Sequence, residues 1–141
     1  RDLIEAGLRE QLDRTILAPE DPALHRYLVR RIGHLRHEVL LAFFCDEAGG
    51  FIAEETLASG VQDSVAISAR VVVQKAMALD ARSFLLVHNH PSGTPVPSAQ
   101  DERETRAIQA LAQKLELRLI DHLVVGGTQI RSVFERISRD D

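Results

Sequence analysis

Residues 88–101 read HNHPSGTPVPSAQD and gather two histidines, Ser98 and an aspartate around three prolines and a glycine. In an extended chain successive side chains alternate between faces, so His88 and His90 point the same way while Asn89 points the other. The two imidazoles thereby converge on one point. Pro91, Gly93, Pro95 and Pro97 hold the next residues in extended and turned conformations, which lets Asp101 return over that point from the start of a helix. Two histidine nitrogens and a carboxylate oxygen make three metal ligands and leave a fourth tetrahedral position for water, the feature that separates catalytic from structural zinc. Zinc in such a site brings the pKa of water down to about 7 and polarises a carbonyl.

The same residues support a plainer reading. Ser98-Ala99-Gln100-Asp101 has the form of a capping box, with serine at the N-cap and an acid at N3. Capping accounts for Ser98 and Asp101, but not for two histidines at the exit of an apolar strand. Spacing alone leaves both readings open. They are also compatible, because Ser98 can cap the helix and present a hydroxyl to the site.

The elements that must position these residues are legible in the hydrophobic periods. SFLLVH reads as a short, fully buried strand that delivers the motif at its C-terminal end, and a helix over residues 99–115 follows, with Ile108, Leu111, Ala112 and Leu115 at helical spacing. Upstream, a helix over residues 1–16 uses Leu3, Ile4, Leu8, Leu12 and Ile16. Asp21 caps a second helix with Pro22 at its first position, running to about Gly33. VLLAFFC is then a buried strand, DEAGG a turn, and FIAEETLA a half-buried strand pairing back as a hairpin. The stripe Val72, Val73, Ala76 and Leu79 predicts a helix over Ala69 to Leu79. RLIDHLVV, a Gly126-Gly127 turn and TQIRSV read as two further strands before a frayed tail.

Composition limits the function classes. With 141 residues, 45% hydrophobic and 27% charged, the chain suits one domain with a substantial core. A net charge of −4 is the wrong sign for binding phosphate backbones, and aromatics at 4% offer no stacking platform, so a nucleic-acid partner is not favoured. Arg26, Arg30, Arg31 and Arg36 interleave with Tyr27, Leu28, Ile32 and Leu35, which reads as the solvated face of an amphipathic helix. The single cysteine, Cys45, lies in an apolar run and reads as a buried small hydrophobe. No apolar stretch approaches the roughly 18 residues of a membrane span, and no signal-peptide pattern is present. A cytoplasmic domain without a membrane partner is expected, one that could be cut from a longer protein. Composition specifies neither a substrate nor an oligomer.

His88-x-His90, seven residues, Ser98, two residues, Asp101 resembles the H-x-H-x7-S-x2-D motif of JAMM (MPN+) zinc metallopeptidases. VHNHPSGTPVPS, with DHLVVGG about thirty residues later, is similar to the RadC branch of that superfamily, over roughly residues 20–136. The resemblance implies an α/β fold: a single domain with a central mixed β-sheet flanked by helices, of JAB/MPN and cytidine-deaminase-like architecture. A helical lead-in over 1–19 and a tail over 137–141 would flank it. It further implies one zinc ion (Zn2+) per chain, with His88, His90 and Asp101 as ligands, Ser98 as a hydroxyl steadying water or an oxyanion, and an upstream glutamate as general acid/base. HEVLLAFF resembles the family's acid followed by an apolar strand and points to Glu38, a choice that the residue pattern alone does not make over Glu54 or Glu55. The implied activity is hydrolysis of a peptide or isopeptide bond in a peptide or protein substrate.

Two readings compete with it: a RadC-type DNA-repair-associated protein acting through DNA or protein binding, and a catalytically silent scaffold. Retention of all four motif residues argues against the scaffold. Zinc deaminases require a cysteine pair that one cysteine cannot supply. The segment GVQDSVAISAR departs from the RadC pattern while keeping Gly60, Ser64 and Arg70, and little of that family's N-terminal helical region is present. Asp121-His122 resembles the family's D-H pair and reads as structural rather than catalytic. His25, His34 and His37 have no ligand spacing and read as surface residues, and Gly93 as a position needing an unusual backbone angle or a close approach.

Overall fold

VLLAFFC and SFLLVHN are buried along their whole lengths because they form interior strands of the sheet, β1 (Val39–Cys45) and β3 (Ser83–Asn89). The computed structural model of the protein describes residues 16–60 and 67–140. Five strands lie in the order β2-β1-β3-β4-β5, with β2 at Phe51–Ser59, β4 at Arg118–Gly126 and β5 at Gln129–Ser132. Only β3 and β4 are parallel, joined by a crossover through helix α3 (Ala99–Lys114); the other pairings are antiparallel, so the sheet is mixed as expected.

Alternation along the central strands feeds two cores. Leu41, Phe43, Leu85 and Val87 pack under helix α1 (Pro22–Ile32) with Leu24, Tyr27, Leu28 and Ile32. On the other face Leu40, Ala42, Phe44, Phe84 and Leu86 meet Val72 and Ala76 of α2 (Ala69–Ala78) and Ile108 and Ala112 of α3. Helix α1 starts as its sequence indicates, the Asp21 side chain accepting from Ala23 N with Pro22 in the first turn. Cys45 is fully buried, and burial pushes its thiol up to about 11, which removes it as a nucleophile at neutral pH.

Three local expectations are corrected. Residues 1–15 lie outside the described residues, as does Ser64, but Ile16 is not helical: it bridges Gly50, and Leu17 N donates to Gly49 O. The frayed tail is instead a helix, α4 (Val133–Asp140), so Val133 begins a helix rather than ending a strand, and the expected 137–141 tail is helical through Asp140. Its first turn is held from elsewhere in the chain, since Asp121 accepts from Ser132 Oγ at 2.6 Å and from Phe134 N at 3.3 Å. That contact also gives Asp121 its structural role.

Helices α2 and α3 end without glycine. Asp80 and Glu116 take the left-handed conformation themselves (φ 52° and 60°), each followed by a residue whose N–H returns to the carbonyl five positions back, Ala81 to Ala76 and Leu117 to Ala112. Among the described residues no helix is long and apolar enough to cross a membrane.

Candidate metal centre

The exit of β3 carries His88 and His90 onto the face occupied by α2 and α3. Their Nε2 atoms lie 3.1 Å apart. Each ring is anchored through its other nitrogen, His90 Nδ1 donating to the Thr94 carbonyl at 3.0 Å and His88 Nδ1 lying 2.7 Å from His122 Nε2. Because a carbonyl can only accept, His90 in its neutral form carries its hydrogen on Nδ1 and a lone pair on Nε2.

The Thr94 carbonyl is itself placed by two glycines. Gly93 adopts φ +92° with open space around it, so its requirement is the backbone angle and not a close approach. The close approach is at Gly126, where a Cβ would collide with the backbone of Thr94 and Pro95. The last residues of β4 thus form the seat of the loop, and His90 N donates to Val125 O at 2.8 Å.

Asp101 reaches the histidines from the first turn of α3. Its Oδ2 is 3.1 Å from His90 Nε2 and its Oδ1 is 3.3 Å from His88 Nε2. The capping box is also present: Asp101 N donates to Ser98 Oγ at 3.0 Å, and Ser98 N to Asp101 Oδ2 at 2.8 Å. The cap therefore orients the carboxylate that meets the histidines. Burial opposes the charge on Asp101, but its contacts with His88 and His90 and the Ser98 N–H outweigh it and hold the carboxyl well below the usual carboxylate range. The same contact to Asp101 raises the pKa of His90.

Glu38 precedes β1, buried, with Oε1 3.9 Å from His88 Nε2. Asn89, on the face opposite the histidines, accepts from Val39 N at 2.7 Å and donates to His37 O at 3.0 Å. Its amide thus grips the backbone on both sides of Glu38. The alternatives are engaged elsewhere, Glu54 with Tyr27 and Arg31 and Glu55 with Lys75. Of the histidines without ligand spacing, His34 is exposed, while His25 and His37 are half-buried, His25 against the Pro19 carbonyl.

Two overlapping donor sets result. One donor atom from each of Glu38, His88 and His90 lies within 4.8 Å of the other two. Asp101 makes the shorter carboxylate contacts, one oxygen to each histidine: Oδ2 at 3.1 Å from His90 Nε2 and Oδ1 at 3.3 Å from His88 Nε2, with the two Nε2 atoms 3.1 Å apart. The residues present fit a small divalent cation with nitrogen and oxygen preference.

A family description of a RadC-like JAB domain matches residues 19–138. The chain belongs to the RadC family. It is 34% identical over 135 residues to a UPF0758 protein of Chromohalobacter salexigens, covering 96% of this chain and 60% of that relative. A UPF0758 protein of Polaromonas sp. is 35% identical over 134 residues, covering 95% of this chain and 60% of the relative. The chain thus spans about 60% of the length of these relatives.

In this RadC-like domain the contacts of Asn89 and Thr105 have no counterpart in the sequence reading, and His122, read there as structural, lies directly against His88. Thr105 is fully buried, and its place on the stripe Thr105, Ile108, Ala112 was the available signal. His122 reaches the site through a register shift in β4, where Phe84 pairs with Leu119 but Leu85 with Asp121, leaving Ile120 as an extra residue. The shift puts His122 opposite Leu86, on the His88 face, and Asp121 opposite Leu85, on the α1 face. Burial pushes His122 well below the ordinary histidine pKa.

Proposed function

We propose that the domain is a zinc-dependent metallopeptidase of JAMM type, hydrolysing a peptide or isopeptide bond. The observation that carries the reading is the convergence of His88 Nε2, His90 Nε2 and the Asp101 carboxylate within 3.1 to 3.3 Å of one another, with the Glu38 carboxylate beside them. Zinc held by His88, His90 and Asp101 supplies a Lewis acid that acidifies water and polarises the scissile carbonyl. Glu38 takes the proton of the attacking water and returns it to the departing amine nitrogen. Its burial keeps bulk water from competing for that proton. The contrary assignment, Glu38 as third ligand, is disfavoured because its oxygen stands farther from His88 than the Asp101 oxygen does, 3.9 against 3.3 Å.

Ser98 is proposed to serve twice. Its Oγ accepts from Asp101 N, which leaves the hydroxyl hydrogen to be directed at a developing oxyanion. Ser98→Ala is expected to cost about 1 kcal/mol of stability through the lost cap. In the same variant turnover should fall about 10²- to 10³-fold through the lost donor. Thermal melts and steady-state rates measured together separate the two effects, and an unchanged rate removes the catalytic role.

The DNA-binding alternative draws little support from α1, where Arg31 is turned onto Glu54 at 3.2 Å. An unbiased peptide and isopeptide library incubated with zinc-loaded protein tests the proposed activity. Cleavage that stops on chelation and returns with zinc is expected; a zinc-loaded chain that cleaves nothing in the library contradicts it.

A further inference from the structure

We propose that Thr105 and His122 are positioning residues that fix His88 in the tautomer required for metal ligation, an inference that rests on the metal-site reading above. Thr105 Oγ1 lies 2.6 Å from the Asp101 backbone carbonyl and 2.7 Å from His122 Nδ1. Two oxygens that close share a hydrogen, and a carbonyl has none to give, so the hydroxyl hydrogen lies on the Asp101 side. The Thr105 oxygen then offers only a lone pair to His122, and Nδ1 of His122 must donate. A fully buried imidazole whose partners are a hydroxyl and another imidazole is neutral, so His122 Nε2 is left with its lone pair. That nitrogen sits 2.7 Å from His88 Nδ1, which must therefore carry the hydrogen. His88 Nε2 is thereby freed to point a lone pair at the site.

The chain of hydrogen bonds begins on the backbone of Asp101 and ends on His88. One turn of α3 thus presents a carboxylate ligand directly and sets the tautomer of a histidine ligand on β3. A merely structural Thr105 would bond its own i−4 carbonyl and fill space, and its loss would change stability alone. The positioning role makes a further demand. Thr105→Val keeps the shape but leaves His122 Nδ1 without an acceptor, so His122 moves its hydrogen to Nε2 and donates to His88. His88 must then hold its own hydrogen on Nε2, facing the ligands it should join.

Long-range 1H–15N correlation spectra of the full chain report which imidazole nitrogen is protonated, and competition with a chromophoric chelator reports zinc affinity. The wild-type protein is expected to hold His122 as the Nδ1–H tautomer, with or without zinc. Thr105→Val should switch it to Nε2–H and weaken zinc binding about 10- to 100-fold, the usual loss when a partner of a metal-ligating histidine is removed. Thr105→Ser should restore both. A wild-type His122 protonated on Nε2, or a Thr105→Val variant with unchanged zinc affinity, overturns the inference while leaving the metal site standing. A wild-type chain that binds no zinc overturns the metal-site reading and the inference with it. If Thr105→Val does not fold, the wild-type tautomer and the Thr105→Ser affinity decide.

Discussion

Glu38→Gln is expected to keep zinc and fold while lowering turnover about 10²- to 10⁴-fold, the range lost with a positioned general base. Glutamine has the size of glutamate and fills the same buried place at the mouth of β1. The backbone grip of Asn89 on residues 37 and 39 does not involve the Glu38 side chain and is retained in the variant. The charge and the ability to accept a proton at neutral pH are lost. The same substitution at Glu55, paired with Lys75 on β2, should leave turnover unaltered. Glu54→Gln should do likewise at some cost in stability, because it loosens the contacts of Tyr27 and Arg31. Zinc content measured beside the rate separates two failures. Lost zinc would make Glu38 a ligand, as its place in the wider donor set allows, and an undiminished rate would move the base elsewhere.

Substituting any one ligand should weaken zinc binding by more than the roughly 10- to 100-fold typical of a lost outer partner. His88→Ala and His90→Ala each remove a nitrogen donor. Asp101→Ala removes both a ligand and half of the capping box, so its effect mixes affinity with helix stability. Asp101→Asn separates them, since an amide oxygen can still accept from Ser98 N but carries no charge for the cation. Zinc is expected to raise the melting temperature of the wild type, because a ligand bound only by the native state stabilises it by about 4 kcal/mol at a thousandfold excess over Kd. The three alanine variants and Asp101→Asn should show little of that rise. Full zinc retention in all of them would refute the ligand set.

Much of this arrangement is legible in the sequence because it is local. The apolar runs of β1 and β3, the period of α3, the Asp21-Pro22 start of α1 and the alternation that aims His88 and His90 together are fixed by neighbours along the chain. What the sequence hides depends on distant contacts. The serine that caps α4, Ser132, accepts from Glu135 N and is itself held from β4 by Asp121, a contact that no local pattern announces. His122 faces the site only because an extra residue at Ile120 reverses the alternation of β4, and no period of two reveals such a shift. Asn89 looks like a spacer between two histidines, yet its amide closes the sheet around Glu38. The αL positions at Asp80 and Glu116 likewise carry none of the glycine that marks a helix end.

The central claim is that His88, His90 and Asp101 enclose one zinc ion, and diffraction from crystals of the zinc-loaded chain, recorded on both sides of the zinc absorption edge, tests it most directly. The account predicts a single anomalous peak per chain, present only above the edge, bounded by Nε2 of His88, Nε2 of His90 and the Asp101 carboxylate, with the Glu38 carboxylate adjacent to but not bonded to it. No peak among these residues, or a peak ligated by Glu38 in place of Asp101, would contradict it.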